Sequence, residues 1–103
     1  MEVPILKQGD YLIASIQSAL TDADLTQLRE ALGERVGRFR SRGVIVDVTA
    51  VDVMDSFAVR TLRDLAHTTW LRGAETVIVG IQPDVSFAMV QLGLLVRDGD
   101  GTA

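Results

Sequence analysis

Three short runs of nearly continuous apolar residues, Tyr11–Ile16 (YLIASI), Val44–Val48 (VIVDV) and Thr76–Ile81 (TVIVGI), alternate with longer stretches whose apolar residues recur every three or four positions. The short runs are rich in β-branched residues and read as strands buried in a sheet. The spacing of three and four puts apolar side chains on one stripe of a helix. Strands that alternate with helices leave one main solution, an α/β domain with a largely parallel sheet, because parallel neighbours need a crossover between them. A further short apolar run, Val3–Leu6, precedes Lys7-Gln8-Gly9-Asp10, which reads as a turn in which Gly9 supplies positive φ. The chain therefore opens with a hairpin, and the sheet is mixed.

The helices have legible ends. Thr21 is a favoured N-cap, with Asp24 three residues on as a variant capping box. Leu25, Leu28, Leu32, Val36 and Phe39 form its apolar stripe, and Gly43 is expected to end it. Acids lead this helix (Asp22, Asp24) and arginines close it (Arg35, Arg38, Arg40, Arg42), the order that complements the helix dipole. The four arginines read as a solvated helix end rather than an anion site. A second helix is expected from Asp55 or Ser56 to Arg72. It has Val59, Leu62, Ala66 and Thr69 on one face, Ala58 and Leu65 beside them, and Gly73 as its cap. Gln82-Pro83-Asp84 opens a short third helix with Val85, Ala88, Met89 and Leu92 inward and Gly93 after it; Leu94–Val96 begins a last strand. Gly80 reads as a strand glycine.

The chain has 103 residues, enough for one core, and 48% of them are apolar. A net charge of -4 argues against nucleic acid as the main partner, because phosphate binding wants a basic face. Cysteine is absent, which removes disulfides, thiolate chemistry and cysteine-held zinc. With no apolar run long enough to span a bilayer and no secretion signal in MEVPILKQGDY, a soluble cytoplasmic protein is expected, with no membrane partner.

The most unusual stretch is VIVDVTAVDVMDSFAV, residues 44–59. Asp47, Asp52 and Asp55 crowd Ser56 at the expected mouth of a helix. Asp and Ser are both good N-caps, so Asp55-Ser56 can be helix capping alone. The loop also follows the carboxyl end of a parallel strand, where open α/β sheets meet ligands and partners. A phosphate on Ser56 would add about -1.5 to -2 charge beside two acids, and the helix N-terminus would accept it. Two catalytic alternatives are weaker. The three acids could hold Mg²⁺, and Asp47 sits where a phospho-aspartate receiver carries its acid. A receiver needs an acidic pair after its first strand, where this chain has Gln17-Ser18, and a late lysine, whereas the one lysine is Lys7. A Ser-His-Asp hydrolase fails on distance. His67 lies eleven residues along the same helix, about 16 Å from Ser56 at 1.5 Å per residue.

The stretch VIVDVTAVDVMDSFAV resembles the signature of STAS domains, the family of anti-sigma-factor antagonists. The opening VPILKQGDYLIASIQ and the later GAETVIVGIQPDVSFAMVQLGL resemble the small single-domain stressosome members of that family. The resemblance runs over residues 3–97, with 98–103 left as a short polar tail. It implies a non-catalytic, cofactor-free phospho-switch and scaffold subunit. Ser56 would be phosphorylated by a serine kinase of the histidine-kinase-like ATPase type, which the chain holds and then releases. Related multi-domain STAS scaffold proteins would be partners, and a phosphatase would reset the switch. The alternative is a free antagonist that binds an anti-sigma kinase without a large scaffold. Asp47, Asp52 and Asp55 would support the phosphoacceptor loop, with no metal. Ser86 is a weaker second phosphorylation candidate, since the position five after Pro83 is Ala88. Phe57 reads as core in preference to an exposed partner contact. STAS domains usually end in another helix, and this sequence stops where that helix would begin, either because it is trimmed or because the element is lost. The sheet surface it would leave bare favours self-association.

Overall fold

The computed structural model describes residues 3–51 and 54–81. In chain order these form β1 (Ile5–Gln8), β2 (Tyr11–Ser15), α1 (Asp22–Phe39), β3 (Gly43–Asp47), α2 (Ser56–Leu71) and β4 (Glu75–Val79). The expected third helix and last strand, with Pro83, Ser86 and Ala88, lie outside the described residues, as does Asp52. The sheet has four strands in the order β1-β2-β3-β4. β1 and β2 are antiparallel, and β2-β3 and β3-β4 are parallel. The hairpin turn is Gly9-Asp10, two residues rather than the four expected; Gln8 already pairs with Tyr11, and Gly9 takes a φ of 59°.

Register decides which side chains face the helices. Leu12, Val44 and Thr76 lie in one row across the parallel strands, and Ala14, Val46 and Ile78 in another. Leu12, Ala14, Val44 and Val46 are fully buried there, joined by Leu28, Leu32 and Val36 of α1 and Leu62 and Leu65 of α2. Alternate residues point to the opposite face. Leu6, Ile13, Ile45 and Val77 share a row on that face, with Leu6 and Val77 exposed. Among the described residues, no helix covers this face, and β4 alternates half-buried with exposed residues instead of being buried throughout. The continuous run TVIVGI suggested a strand covered on both sides; its apolar residues are divided between two faces, one of which no described helix covers.

Parallel pairing sets Tyr11 opposite Gly43 and Gly43 opposite Glu75, so the chain takes equal steps from β2 to β3 and from β3 to β4. Each step is one strand-loop-helix unit, and both loops emerge at the carboxyl end of the sheet. α1 begins at a complete capping box. The Asp24 N–H donates to Thr21 Oγ1 at 3.1 Å, and the Thr21 N–H donates to Asp24 Oδ2 at 3.2 Å. The helix ends earlier than expected, at Arg40, a non-glycine residue in the left-handed region with φ 51°. Gly43 belongs to β3. Phe39 follows the apolar stripe in sequence but is exposed, flanked by the Lys7 ammonium and the Arg38 guanidinium over its ring. α2 ends at Arg72, and Gly73, at φ 91°, turns the chain toward β4. Arg72 Nη1 donates to the Gly33 carbonyl at 2.8 Å, tying the end of α2 to α1. In the core, Thr69 and Thr76 pair their hydroxyls at 2.6 Å, which lets Thr69 be buried on the apolar face as its spacing suggested.

Candidate functional site

The loop from β3 to α2 begins with Asp47. Register puts this residue on the open face of the sheet, opposite Ser15 and Val79. Its carboxylate turns back on the chain. Asp47 Oδ1 accepts from the Thr49 hydroxyl at 2.6 Å and from the Thr49 N–H at 2.9 Å. This is an Asx-type turn in which one carboxylate replaces a backbone acceptor. The hydroxyl bond first, and the N–H bond second, hold the Asp47 carboxyl below the ordinary carboxylate range, because both favour the charged form. The Val51 N–H then bonds to the Val48 carbonyl at 2.9 Å, and Val48 and Val51 are both buried. The loop thus leaves the strand as a tight, anchored turn.

β4 closes against the same turn. The Val48 N–H donates to the Val79 carbonyl at 2.9 Å, and Gly80 follows at φ 81°. A Cβ at Gly80 would lie 2.8 Å from Thr49 Cα and would collide with Thr49 Oγ1. Gly80 is therefore not an ordinary strand glycine. It is required twice, by its backbone conformation and by the close approach of Thr49.

At the start of α2, Asp55 has extended backbone (φ -80°, ψ 176°), and its Oδ1 accepts from the Ala58 N–H at 2.8 Å. The Val59 N–H donates to the Asp55 carbonyl at 3.1 Å, the first bond of the helix. Asp55 is thus the N-cap, and Ser56 is the first helical residue. The sequence left capping open to either residue, and also allowed Ser56 to cap and be modified together. The geometry gives the cap to Asp55 alone. Among the described residues, the Ser56 hydroxyl has no hydrogen-bond partner. Helical bonding leaves the N–H groups of the first turn without intrahelical partners, and Asp55 takes only that of Ala58. Phe57 is 40% exposed, contrary to the expectation that it is core. Its neighbours Val59 and Leu62 take the inward face of α2, which leaves Phe57 on the outward side.

Between the first turns of α1 and α2 lies a cavity of about 120 Å³, partly open to solvent. Ile16 and Leu20 come from the β2–α1 loop, Leu25 from α1, Met54 from the approach to α2, and Ala58 and Leu62 from α2. Among the described residues, Asp55 is the one charged group in its lining. No pattern along the chain announced this cavity, because its walls come from four separate segments. Thr49 could have been anticipated, since a hydroxyl two residues after an aspartate is a turn signal. His67 is exposed on α2. Among the described residues, no three His, Cys, Asp or Glu side chains form a group that could hold a metal ion, and no helix is long and apolar enough to cross a membrane.

An antiparallel opening hairpin, two parallel crossovers and an Asp-capped helix after the central strand define the class. The chain belongs to the STAS-domain family, whose sequence model matches residues 2–97. Within it, the chain is similar to stressosome proteins. It is similar to a serine-to-glutamate variant of RsbS from Moorella thermoacetica, with a TM-score of 0.84 and 33% identity, covering 98% of this chain and 85% of that one. A stressosome structure, described as a signal integration and transduction hub, matches with a TM-score of 0.79 and 33% identity over 97% of this chain and 86% of that one. RsbRA of Bacillus subtilis, an RsbT co-antagonist protein, is 29% identical over 68 residues, which is 66% of this chain and 25% of RsbRA. A second curated relative from the same organism, YezB, is matched over 52% of its length.

Proposed function

We propose that this chain is a non-catalytic phospho-switch and scaffold subunit of a stressosome-type signalling complex. It holds a serine kinase of the histidine-kinase-like ATPase type and releases it when Ser56 is phosphorylated. Related multi-domain STAS proteins share the scaffold with it, copies of the chain associate with one another there, and a phosphatase resets the switch. One observation carries the reading: Asp55 does the capping, and Ser56, beside it, offers a hydroxyl with no hydrogen-bond partner among the described residues. The likeness to RsbS and to a stressosome chain supports the same role.

The switch works by local charge. A phosphate on Ser56 brings about -1.5 to -2 charge to the first turn of α2. The exposed N–H groups and the helix dipole favour it there. The Asp55 carboxylate next to it repels it and already holds the Ala58 N–H. The modified surface is therefore strongly anionic while the helix stays capped, so the partner's binding face changes and the fold does not.

The test is incubation with ATP and a purified kinase of this type, followed by intact mass spectrometry and fragment mapping. One phosphate on Ser56 is expected, and none on Ser56→Ala. By calorimetry, Ser56→Ala holds the kinase as the unmodified chain does and Ser56→Asp binds it more weakly. Equal affinity of the two variants would overturn the proposal.

A further inference from the structure

We infer that Arg60, one helical turn beyond Ser56 on α2, is the built-in cation that grips the phosphate once Ser56 carries one. The inference rests on the reading of Ser56 as a phosphoacceptor and names what receives the group inside the domain itself.

Ser56 is the first residue of α2 and Arg60 the fifth. Residues four apart on a helix are neighbours, with Cβ atoms about 5–6 Å from each other. Helical side chains lean toward the N-terminus, which is the direction from Arg60 to Ser56. Arg60 is exposed, and Ser56 is half-buried beside it. Several arginines already have structural partners: Arg35 donates to the Ile5 carbonyl, Arg38 pairs with Glu34, and Arg72 donates to the Gly33 carbonyl. Arg60 makes no ion pair or hydrogen bond among the described residues, although Asp64 stands one turn further on. The acids near Ser56 are otherwise engaged, Asp55 with the Ala58 N–H and Asp47 with Thr49. On α2, Arg60 is the cation nearest Ser56. Arg63 lies seven residues on, about 10 Å along the axis, and His67 about 16 Å. The first turn of α1 carries acids, Asp22 and Asp24.

A guanidinium presents a planar fork that matches two phosphate oxygens. A phosphate of about -1.5 to -2 charge attracts it more strongly than the single charge of Asp64 does. Asp55 and the phosphate together outweigh one guanidinium, so the mouth of α2 stays anionic, as the switch requires. Phosphorylation then changes α2 twice: an anion appears at Ser56, and Arg60 is drawn onto it.

Phosphoserine placed at position 56 during translation makes the test independent of the kinase. Phosphorus NMR at low salt then follows the phosphate through its second ionisation. A cation beside the phosphate favours the doubly charged form, so removing it makes the group hold its proton more tightly. Arg60→Gln changes an exposed position and keeps helix propensity, so the fold is retained. It should raise the proton affinity of the phosphate about twofold, the scale of an exposed pair four residues apart. Arg63→Gln removes the other exposed arginine of the helix interior and should titrate as the parent phosphoprotein does. A titration of Arg60→Gln identical to the parent's would overturn the clamp. An equal shift with Arg63→Gln would overturn it too, because the cause would be the general field of the helix. The two readings fail separately. If the kinase leaves Ser56 unmodified, the switch falls whatever Arg60 does; if Arg60→Gln titrates unchanged while the kinase modifies Ser56, the switch stands without the clamp.

Discussion

Replacing Asp55 and Ser56 in turn by alanine separates the cap from the hydroxyl. Asp55→Ala removes the acceptor that holds the Ala58 N–H at 2.8 Å and the negative charge at the positive end of α2. N-cap losses of this kind cost about 0.5–2 kcal/mol, typically about 1. For a domain of this size, about 1 kcal/mol lowers the melting temperature by roughly 4–8 °C. Ser56→Ala removes a hydroxyl with no partner among the described residues from a first-turn position that is not the cap, where alanine is an excellent helix former. Its effect should stay within about 0.5 kcal/mol, the range of surface changes that touch no special feature. Thermal and urea unfolding followed by circular dichroism measure both variants, with coincident probes confirming two-state behaviour. A Ser56→Ala loss as large as that of Asp55→Ala would refute the division of labour and return the serine to helix capping.

Three other outcomes test the surroundings. Gly80→Ala should destabilise by more than the roughly 1–2 kcal/mol of a left-handed non-glycine residue, because its Cβ also meets Thr49 backbone; a melting temperature within a degree of the unmodified chain's would contradict the close approach. Asp47 titrates below its ordinary range in the fold, so the turn's contribution is present at pH above the ordinary carboxylate range. It is lost as pH falls through the lowered folded value. Thr49→Ala should flatten that acid limb of the stability curve, and an unchanged limb would contradict the assignment. Light scattering of the chain mixed with related multi-domain STAS proteins should give particles far larger than a dimer. Persistence of monomers or dimers would favour the free-antagonist alternative.

The strands and helices were legible because their signals are local. Apolar runs and three-four spacing located all four described strands and both helices, and Thr21 with Asp24 marked the α1 cap correctly. Errors arose where two parts of the chain meet. Val77 and Val79 sit in a run that reads as buried, yet burial depends on whether anything covers the second face of the sheet. Gly80 reads as a strand glycine until Thr49, far away in sequence, is placed against it. Arg40 ends α1 in a conformation that glycine usually takes, so the next glycine in sequence drew the boundary too far. At the site, the Asp55-Ser56 pair stood out from sequence, but which of the two caps depends on where the backbone enters the helix, and one residue decides it.

The equal steps from β2 to β3 and from β3 to β4 make two matched strand-loop-helix units. Their helices start alike: a capping side chain, Thr21 in one and Asp55 in the other, and then the first helical residue. In the first unit that residue is Asp22, which is acidic. In the second it is Ser56, which is not. The unmodified domain is thus the lopsided one, with Asp22 and Asp24 at one helix mouth and Asp55 alone beside a neutral hydroxyl at its twin. Phosphorylation adds about -1.5 to -2 charge to the second mouth and reverses the imbalance, so a partner straddling them reads the difference between two helix starts rather than the presence of one charge.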